Sequence, residues 1–499
     1  MHGSFAGRIA VAVALLAGFY VAALAVALGA LALAVLQWTT PLPQNIWVTA
    51  ACVGTGFVIL SAIMPRRRPF EPPGPELPAS RAPALHRLVD EVARQAGQEP
   101  PERIFVAPDV NAAVLQVGGV LGLGGKRVLL VGLPLIDVLT VRELRAVIAH
   151  ELGHFHAGDT RLGPWFFRTY DALERTVVAL HESESMWRKP FTWYFDFFLR
   201  RTAALKRRQE FLADELAARL AGPGAAGDSL HAITKAAPAF DGFWSSETVP
   251  ILESGHRVPL LEGFRRFRGA EGISRALDKV LAEERKADTD PYNTHPPLTE
   301  RIAALERLPS METPPQDGDA QPAVTLLDDL DALEAELLAF LAGHDDVARL
   351  KPIPWESVPE QVMIPAWRRF LEPHAGKLTG ITAASIPEHA DSDGAQQLAA
   401  RLLPANELPP QIELQRGFSA GILASALGLA LHESGWRAVA PLGEPVTFER
   451  GPDRIEPFDD VERLGEGQLT AADWRERCER LGIGDLTLGA RVERAASPA

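Results

Sequence analysis

The chain has 499 residues, with 50 Lys and Arg against 64 Asp and Glu, a formal net charge of −14. That acidic balance repels phosphate and excludes a basic nucleic-acid binder. Two cysteines exclude a disulfide-built fold and fit a reducing compartment.

Charge is spread very unevenly. Between Arg8 and Arg66 there is no Asp, Glu, Lys, Arg or His. The run divides into apolar stretches at residues 9–37 and 45–64, each long enough for the ~20 residues of a spanning helix. Pro41 and Pro43 make a short turn between them, and Trp38 and Trp47 fall at interfacial depth, where amphipathic rings are favoured. The first stretch exceeds the ~7–15 apolar residues of a cleaved signal peptide, and no small-residue cleavage site follows it. Arg8 precedes the first span, Arg66, Arg67 and Arg68 follow the second, and the turn has no basic residue. Both ends are therefore expected on the cytoplasmic face of an inner or plasma membrane.

Residues 66–83 are proline-rich and read as an extended linker. Residues 84–98 have helical spacing at Leu85, Leu88, Val89, Val92 and Ala93. Short strands are expected at 103–107, 111–117 and 127–132. The glycines between Gly118 and Lys126 make a flexible connection, and Arg127 stands where a phosphate loop needs Ser or Thr. Residues 140–308 read as mainly helical and 309–323 as a second linker. Beyond it come an amphipathic helix at 325–341, a buried helix at 419–431 that is too short to span, and a hairpin at 445–458 around Gly451, Pro452 and Asp453. A last helix at 471–481 is capped by Thr470, with Asp473 three positions on.

The stretch that carries chemistry is residues 141–160, which contains His150, Glu151, Leu152, Gly153 and His154. On a helix, positions i and i+4 lie on one face, so the two imidazoles can hold one Zn²⁺. Glu151 lies beside them, able to reach a water on the metal without being a ligand. Thr140 and Glu143 form a capping box, and Gly158 suits a C-terminal cap. Histidines that merely packed would leave three polar groups to satisfy on an apolar helix. A metzincin site would need Gly at position 157 and His at 160, where the chain has Ala157 and Thr160. A gluzincin site needs a Glu on a later helix. Residues 207–216 offer Glu210 as that ligand, with Asp214 on the same face to orient a ligand histidine through its other ring nitrogen. Glu215 competes, but it points about 100° away and reads as a solvated charge. His156 lies about 200° around from His154 and reads as surface.

Three segments, HELGHFHAGD, RRQEFLADELAA and NTHPPLTERI, occur in that order. Together they resemble the membrane gluzincins, which include the bacterial HtpX-type proteases and the eukaryotic CAAX prenyl endopeptidase. The resemblance covers about residues 85–308, together with membrane anchoring. It implies one zinc per chain on His150, His154 and Glu210, Glu151 as general base and Asp214 behind the ligands. It places His295 near the site, where it would bind the substrate carbonyl or its oxyanion; starting the helix after Pro296 and Pro297 explains His295 equally well. Asn111, Ala112 and Ala113 resemble the family strand before the active-site helix, and that strand can pair with an extended substrate backbone.

The chain departs from the family between the motif helix and the third ligand, where HtpX-type members carry further spans. Its most apolar piece, residues 190–199, contains Asp196 and is too short to span; packing on the core is the expected reading, with a dip into the membrane interface as the alternative. The region from Thr325 onward resembles nothing in the family. The expected fold is α+β, mainly α: a two-helix transmembrane hairpin at 1–65, a gluzincin-type zinc peptidase domain at 84–308 and a separate α+β domain at 324–499. The expected function is a membrane-anchored zinc endopeptidase acting on membrane or membrane-proximal polypeptides; the role of the C-terminal region is left open, recruitment of a protein partner being one candidate. The rival reading is a non-proteolytic membrane scaffold with a structural zinc. A structural site needs four protein ligands, whereas three are evident and no Cys is near.

Overall fold

The computed structural model describes residues 5–40, 44–64, 70–118, 125–155, 188–284, 296–309, 316–344, 346–404 and 406–489. The chain is mainly helical and divides into two compact units, Met1–Pro238 with Leu277–Leu330, and Ala239–Ala276 with Asp331–Ala499.

In the first unit, α1 (Phe5–Thr39) and α2 (Ile46–Ile63) pack together along a seam that includes Phe19, Ala23, Ala27 and Ile59. The turn between them is pinned at both ends. Asn45 accepts the Trp47 and Val48 N–H groups, and Trp38 Nε1 donates to Thr49 Oγ1 at 3.0 Å. Residues Ala17–Thr39 are long and apolar enough to cross a membrane. The 18 residues of α2 rise about 27 Å, at the short end for a span. Val21, Leu28 and Val35 of α1 and Trp47 and Phe57 of α2 face outward with no charge among them.

The region read as a first linker is bound at its far end. Leu77 N donates to Ile104 O at 2.8 Å and Val106 N to Pro75 O at 3.0 Å, so the chain runs along β1 (Arg103–Ala107). Helix α3 (Pro83–Gln95) buries Leu85, Leu88, Val89, Val92 and Ala93, the stripe its spacing predicts. β1 pairs in parallel with β3 (Lys126–Gly132), and β2 (Ala112–Val117) pairs antiparallel with the other side of β3. The order β1-β3-β2 leaves β2 at an edge. The register Val117↔Lys126 puts the glycine-rich connection at the hairpin's end, where residues 119–124 lie outside the described residues.

After the short α4 (Leu133–Val138), α5 (Val141–Gly153) begins at the predicted capping box of Thr140 and Glu143. Its next two N–H groups are also satisfied, Val141 N by Gln321 O at 2.9 Å and Arg142 N by Asp319 O at 3.0 Å. The end of the expected second linker is thus fixed to the start of α5. Buried Arg145 adds a pair with Glu91 of α3 at 2.9 Å.

Helix α6 (Arg188–Ala221) corrects the reading of residues 190–199. Phe191 and Phe198 are buried, but against the apolar hairpin, in one cluster with Phe19, Ala23, Ala27 and Ile59. Tyr194 Oη donates to Leu15 O at 2.5 Å. An aromatic stripe identifies a buried face without saying which apolar surface covers it. Helix α7 (Leu298–Glu306) packs against α6.

Helix α8 (Leu330–Leu341), which belongs to the second unit from Asp331 on, starts later than the sequence pattern implies. Ala323–Leu326 is a 3₁₀ turn, and Asp329 has φ 49°, a left-handed conformation that ends any helix running through it. Helix α9 (Ile412–Glu433) is longer than the predicted 419–431. By length and composition it passes for a span, yet Ile422, Leu423, Leu427 and Leu431 are fully buried with Trp436, Phe448 and Trp474. The predicted hairpin forms from β5 (Thr447–Arg450) and β6 (Asp453–Ile455), with β4 (Arg437–Val439) beside β5. Gly451 makes its turn at φ 63°. Helix α10 (Ala471–Leu481) is capped by Thr470, as its sequence predicts.

Glu334 of α8 is buried, and its carboxylate accepts Leu260 N at 2.6 Å and Leu261 N at 3.3 Å at the start of the helix Leu260–Gly269. Burial pushes its carboxyl up to about 7, against the pull of those two N–H groups. An acid raised above its unfolded value binds more protons when folded. Its contribution is therefore fully present below about pH 4.5 and is lost as pH rises through about 7. Calorimetry from pH 5 to 8 should show the wild type losing up to ~3 kcal/mol more than Glu334→Gln. Parallel pH dependences in the two proteins would contradict this.

Candidate active site

Helix α5 delivers His150 and Glu151 in its last turn and His154 at its C-cap. His154 keeps helical backbone angles (φ −60°, ψ −19°), so the i, i+4 relation survives past the formal helix end. The two imidazoles stand 4.8 Å apart, ring centre to centre, and nearly perpendicular at 88°. Gly153 is where α5 meets α6: a Cβ there would lie 2.8 Å from Ala213 Cα. This close crossing, open only to glycine, sets the α6 turn carrying Glu210 and Asp214 opposite the histidines.

His150, His154 and Glu210 each offer one donor atom, and these atoms lie within 4.8 Å of one another. His150 Nε2 is 3.5 Å from Glu210 Oε2, and His150 Nδ1 is 2.9 Å from Asp214 Oδ1. Donors at ~2.0–2.1 Å around a tetrahedral cation stand roughly 3.3 Å apart. The residues thus fit a metal: two imidazoles and a carboxylate converge, and Asp214 holds the far nitrogen of one ring.

Arg301 of α7 completes the cluster. Its Nε and Nη2 donate to both oxygens of Asp214, at 2.8 and 2.6 Å, and its Nη1 lies 3.6 Å from Glu210 Oε2. Arg301 Nη2 is also 3.5 Å from His150 Nδ1. A nitrogen that donates to Asp214 cannot also accept, so the shorter Asp214 contact decides the proton's place. That leaves Nε2 toward Glu210.

Electrostatics follow from burying this group. Burial opposes a charged His150, but hydrogen bonds to Asp214 and Glu210 outweigh it and lift the ring to about 9. Without metal the Nε2 proton lies between His150 and Glu210, where a cation would join the same two atoms. Burial and the charge of His150 push His154 down to about 4, so it stays a neutral donor. Burial pushes Glu151 up to about 7; Glu210 adds to this, while His150 and the Val114 N–H pull against it. Burial would raise Asp214, but Arg301 and His150 hold its carboxyl below the usual range.

The Val114 hydrogen bond joins the edge strand β2 to Glu151. Ala112 and Ala113 begin that strand, and Asn111 turns into it, its Oδ1 accepting Ala112 N–H at 2.9 Å. Glu215 is half-buried and pairs with Arg219 at 3.2 Å, and it is not one of the three converging donors. His156, Gly158 and His295 lie outside the described residues. Arg301 is the residue the sequence reading missed. Its only signal is electrostatic: Glu151, Glu210 and Asp214 in one buried site call for a cation besides the metal.

The model of Peptidase family M48 matches residues 79–308. Protease HtpX of Ectopseudomonas mendocina is 27% identical over 242 residues, covering 45% of this chain and 72% of that protein. A Protease HtpX homolog of Pyrococcus abyssi is 30% identical over 247 residues, 46% of this chain and 74% of its own length. Protease HtpX homolog 1 of Saccharolobus solfataricus is 44% identical over 81 residues, 16% of this chain and 24% of that protein. No solved structure matches the chain. The site and the sequence agree, and the chain belongs to peptidase family M48.

Proposed function

We propose that this peptidase is a membrane-anchored zinc endopeptidase that hydrolyses peptide bonds in membrane or membrane-proximal polypeptides. The observation that carries this reading is the three-donor cluster of His150, His154 and Glu210 with Glu151 beside it. Two imidazoles and a carboxylate suit zinc, one ion per chain. A bound zinc supplies Lewis-acid polarisation of water and of the substrate carbonyl.

The chain's own residues do the rest. Glu151 takes a proton from the attacking water and returns it to the leaving amine, and a carboxyl near 7 suits both transfers. Asp214, fixed by Arg301, holds His150 by its Nδ1 proton and keeps Nε2 aimed at the metal position. β2 is the last strand of its sheet among the described residues, and its edge, from Asn111, Ala112 and Ala113 onward, lies beside Glu151 and pairs with an extended substrate backbone. His295 donates to the carbonyl oxygen as negative charge develops on it.

The apolar hairpin anchors the chain, and its flanking arginines put the peptidase on the cytoplasmic face of an inner or plasma membrane. In this division the hairpin is residues 1–65, the peptidase 84–308 and a further C-terminal region 324–499, with linkers at 66–83 and 309–323. A structural zinc in a scaffold is disfavoured, because the cluster offers three donors among the described residues where a closed site needs four.

Metal removal tests the reading. Dialysis against a chelator should abolish cleavage of an unfolded protein such as casein, and one equivalent of zinc should restore it. The His150 Nε2 proton must leave on uptake, so zinc affinity should rise with pH, up to about tenfold per unit, until about pH 9. Full cleavage by chain shown to be metal-free would sink the assignment.

A further inference from the structure

We propose that the outer face of α6 docks on anionic phospholipid headgroups, so that one helix reads the membrane surface and carries the candidate ligand Glu210. This rests on the membrane-anchor reading above and adds a lipid class and a location to it.

Helix α6 has two different faces in its first half. Phe191, Tyr194 and Phe198 are spaced i, i+3, i+7 and meet the apolar hairpin. The Phe191 ring lies 6.3 Å from that of Phe19, and Tyr194 reaches Leu15 O. As α6 advances from 191 to 194, its partners step back along α1 from 19 to 15, so the two helices run antiparallel. α1 therefore enters the apolar layer where α6 leaves it.

The other face carries Trp193, which is 67% exposed and stacks on Phe197 at 5.7 Å. Arg200 and Arg208 are exposed on this same side. They follow Trp193 by seven and fifteen residues, about 20° and 60° from its direction. Along the axis Arg200 stands about 10 Å beyond Trp193, and Arg208 roughly 12 Å further. Arg200 is six residues past Tyr194, and Arg8 is seven before Leu15, which places Arg200 near the level of the residue that opens the charge-free run.

An indole followed by arginines is the order of groups met on leaving a bilayer. Residues 200–208 hold five Lys and Arg with no acid, in a chain whose net charge is −14. Lys206 points about 140° away from Trp193, toward Glu210, and lies off this face. Arginines just outside a membrane segment recognise anionic lipid. Arg208 lies two residues before Glu210 in the same unbroken helix. Headgroup contact therefore fixes the height of the peptidase site above the bilayer, and with it which polypeptides come within reach.

The test uses the full chain in mixed micelles of phosphatidylcholine and phosphatidylglycerol, with co-purifying lipid quantified. Each arginine at an anionic surface contributes about fivefold. Wild type should enrich phosphatidylglycerol, Arg200→Gln/Arg208→Gln should lose most of that enrichment, and Arg200→Lys/Arg208→Lys should keep it. Arg275→Gln/Arg437→Gln, an equal charge change at exposed arginines elsewhere, should have no effect. Raising salt from 0.01 to 1 M shortens screening from about 30 to 3 Å and should abolish the wild-type enrichment without any mutation. Displacement by inorganic phosphate would reassign the face to free phosphate. Loss of acidic-peptide cleavage with lipid preference intact would reassign it to substrate. Either result, or enrichment that survives in the Gln variant, overturns the proposal. Release of the chain from phosphatidylcholine vesicles by alkaline carbonate is a separate result, because it would remove the anchor reading itself.

Discussion

Glu151→Gln should keep its metal and lose at least about three orders of magnitude in kcat/KM, a loss of the size general-base catalysis supplies. Glutamine has the shape of glutamate and keeps an oxygen to accept the Val114 N–H, so β2 and α5 should stay in register. It cannot take a proton from water. The change also removes a buried negative charge that burial and Glu210 already disfavour, so the fold should not weaken. The wild-type activity should fall on the acid side as Glu151 protonates, below about pH 7 because a bound cation favours the carboxylate. The variant's residual rate should lack that limb. Zinc content, thermal unfolding and a pH–rate profile on one peptide would settle this. A variant within tenfold of wild type would remove Glu151 from the proton transfer.

Much of this site could be read from the sequence because its parts are local. His150 and His154 are one turn apart, as are Glu210 and Asp214, and the Thr140 capping box spans four residues. The α3 stripe and the Gly451 hairpin are short-range patterns of the same kind. What could not be read is long-range. Arg301 meets Asp214 across 87 positions and His150 across 151, and no spacing rule joins them. The bonds that fix residues 319–321 to α5 are backbone to backbone, so they leave no mark on a segment that looks like a linker. Hydropathy has a matching blind spot. α1 and α9 both pass as spans, and only packing distinguishes a helix sunk in a core of tryptophan and leucine from one that faces outward. The aromatic start of α6 has the same ambiguity, since its buried face meets the hairpin and not the sheet.

Arg301→Met should cost the metal-free chain ~3–5 kcal/mol, the usual result of stranding a buried charge, and lower kcat by 10- to 100-fold. The guanidinium is 13% exposed, Asp214 5% and Glu210 8%, so water screens little of the loss. Without Arg301, the carboxylates of Glu151, Glu210 and Asp214 would keep His150 and, beside Glu210, the half-buried Lys206 as cations, too little positive charge for three buried acids, and Asp214 would lose the bidentate contact that fixes its angle to His150 Nδ1. Added zinc restores positive charge to the cluster, so the rise in unfolding temperature on zinc addition should be larger in the variant than in the wild type. Arg301→Lys keeps charge but not the two-pronged geometry, and should recover stability better than kcat. A cycle with Asp214→Asn separates positioning from packing. If Arg301 acts through Asp214, the double variant should lose much less than the sum of the single losses. Additive losses would place the contribution of Arg301 in the packing of α7, and Asp214 would then orient His150 without it.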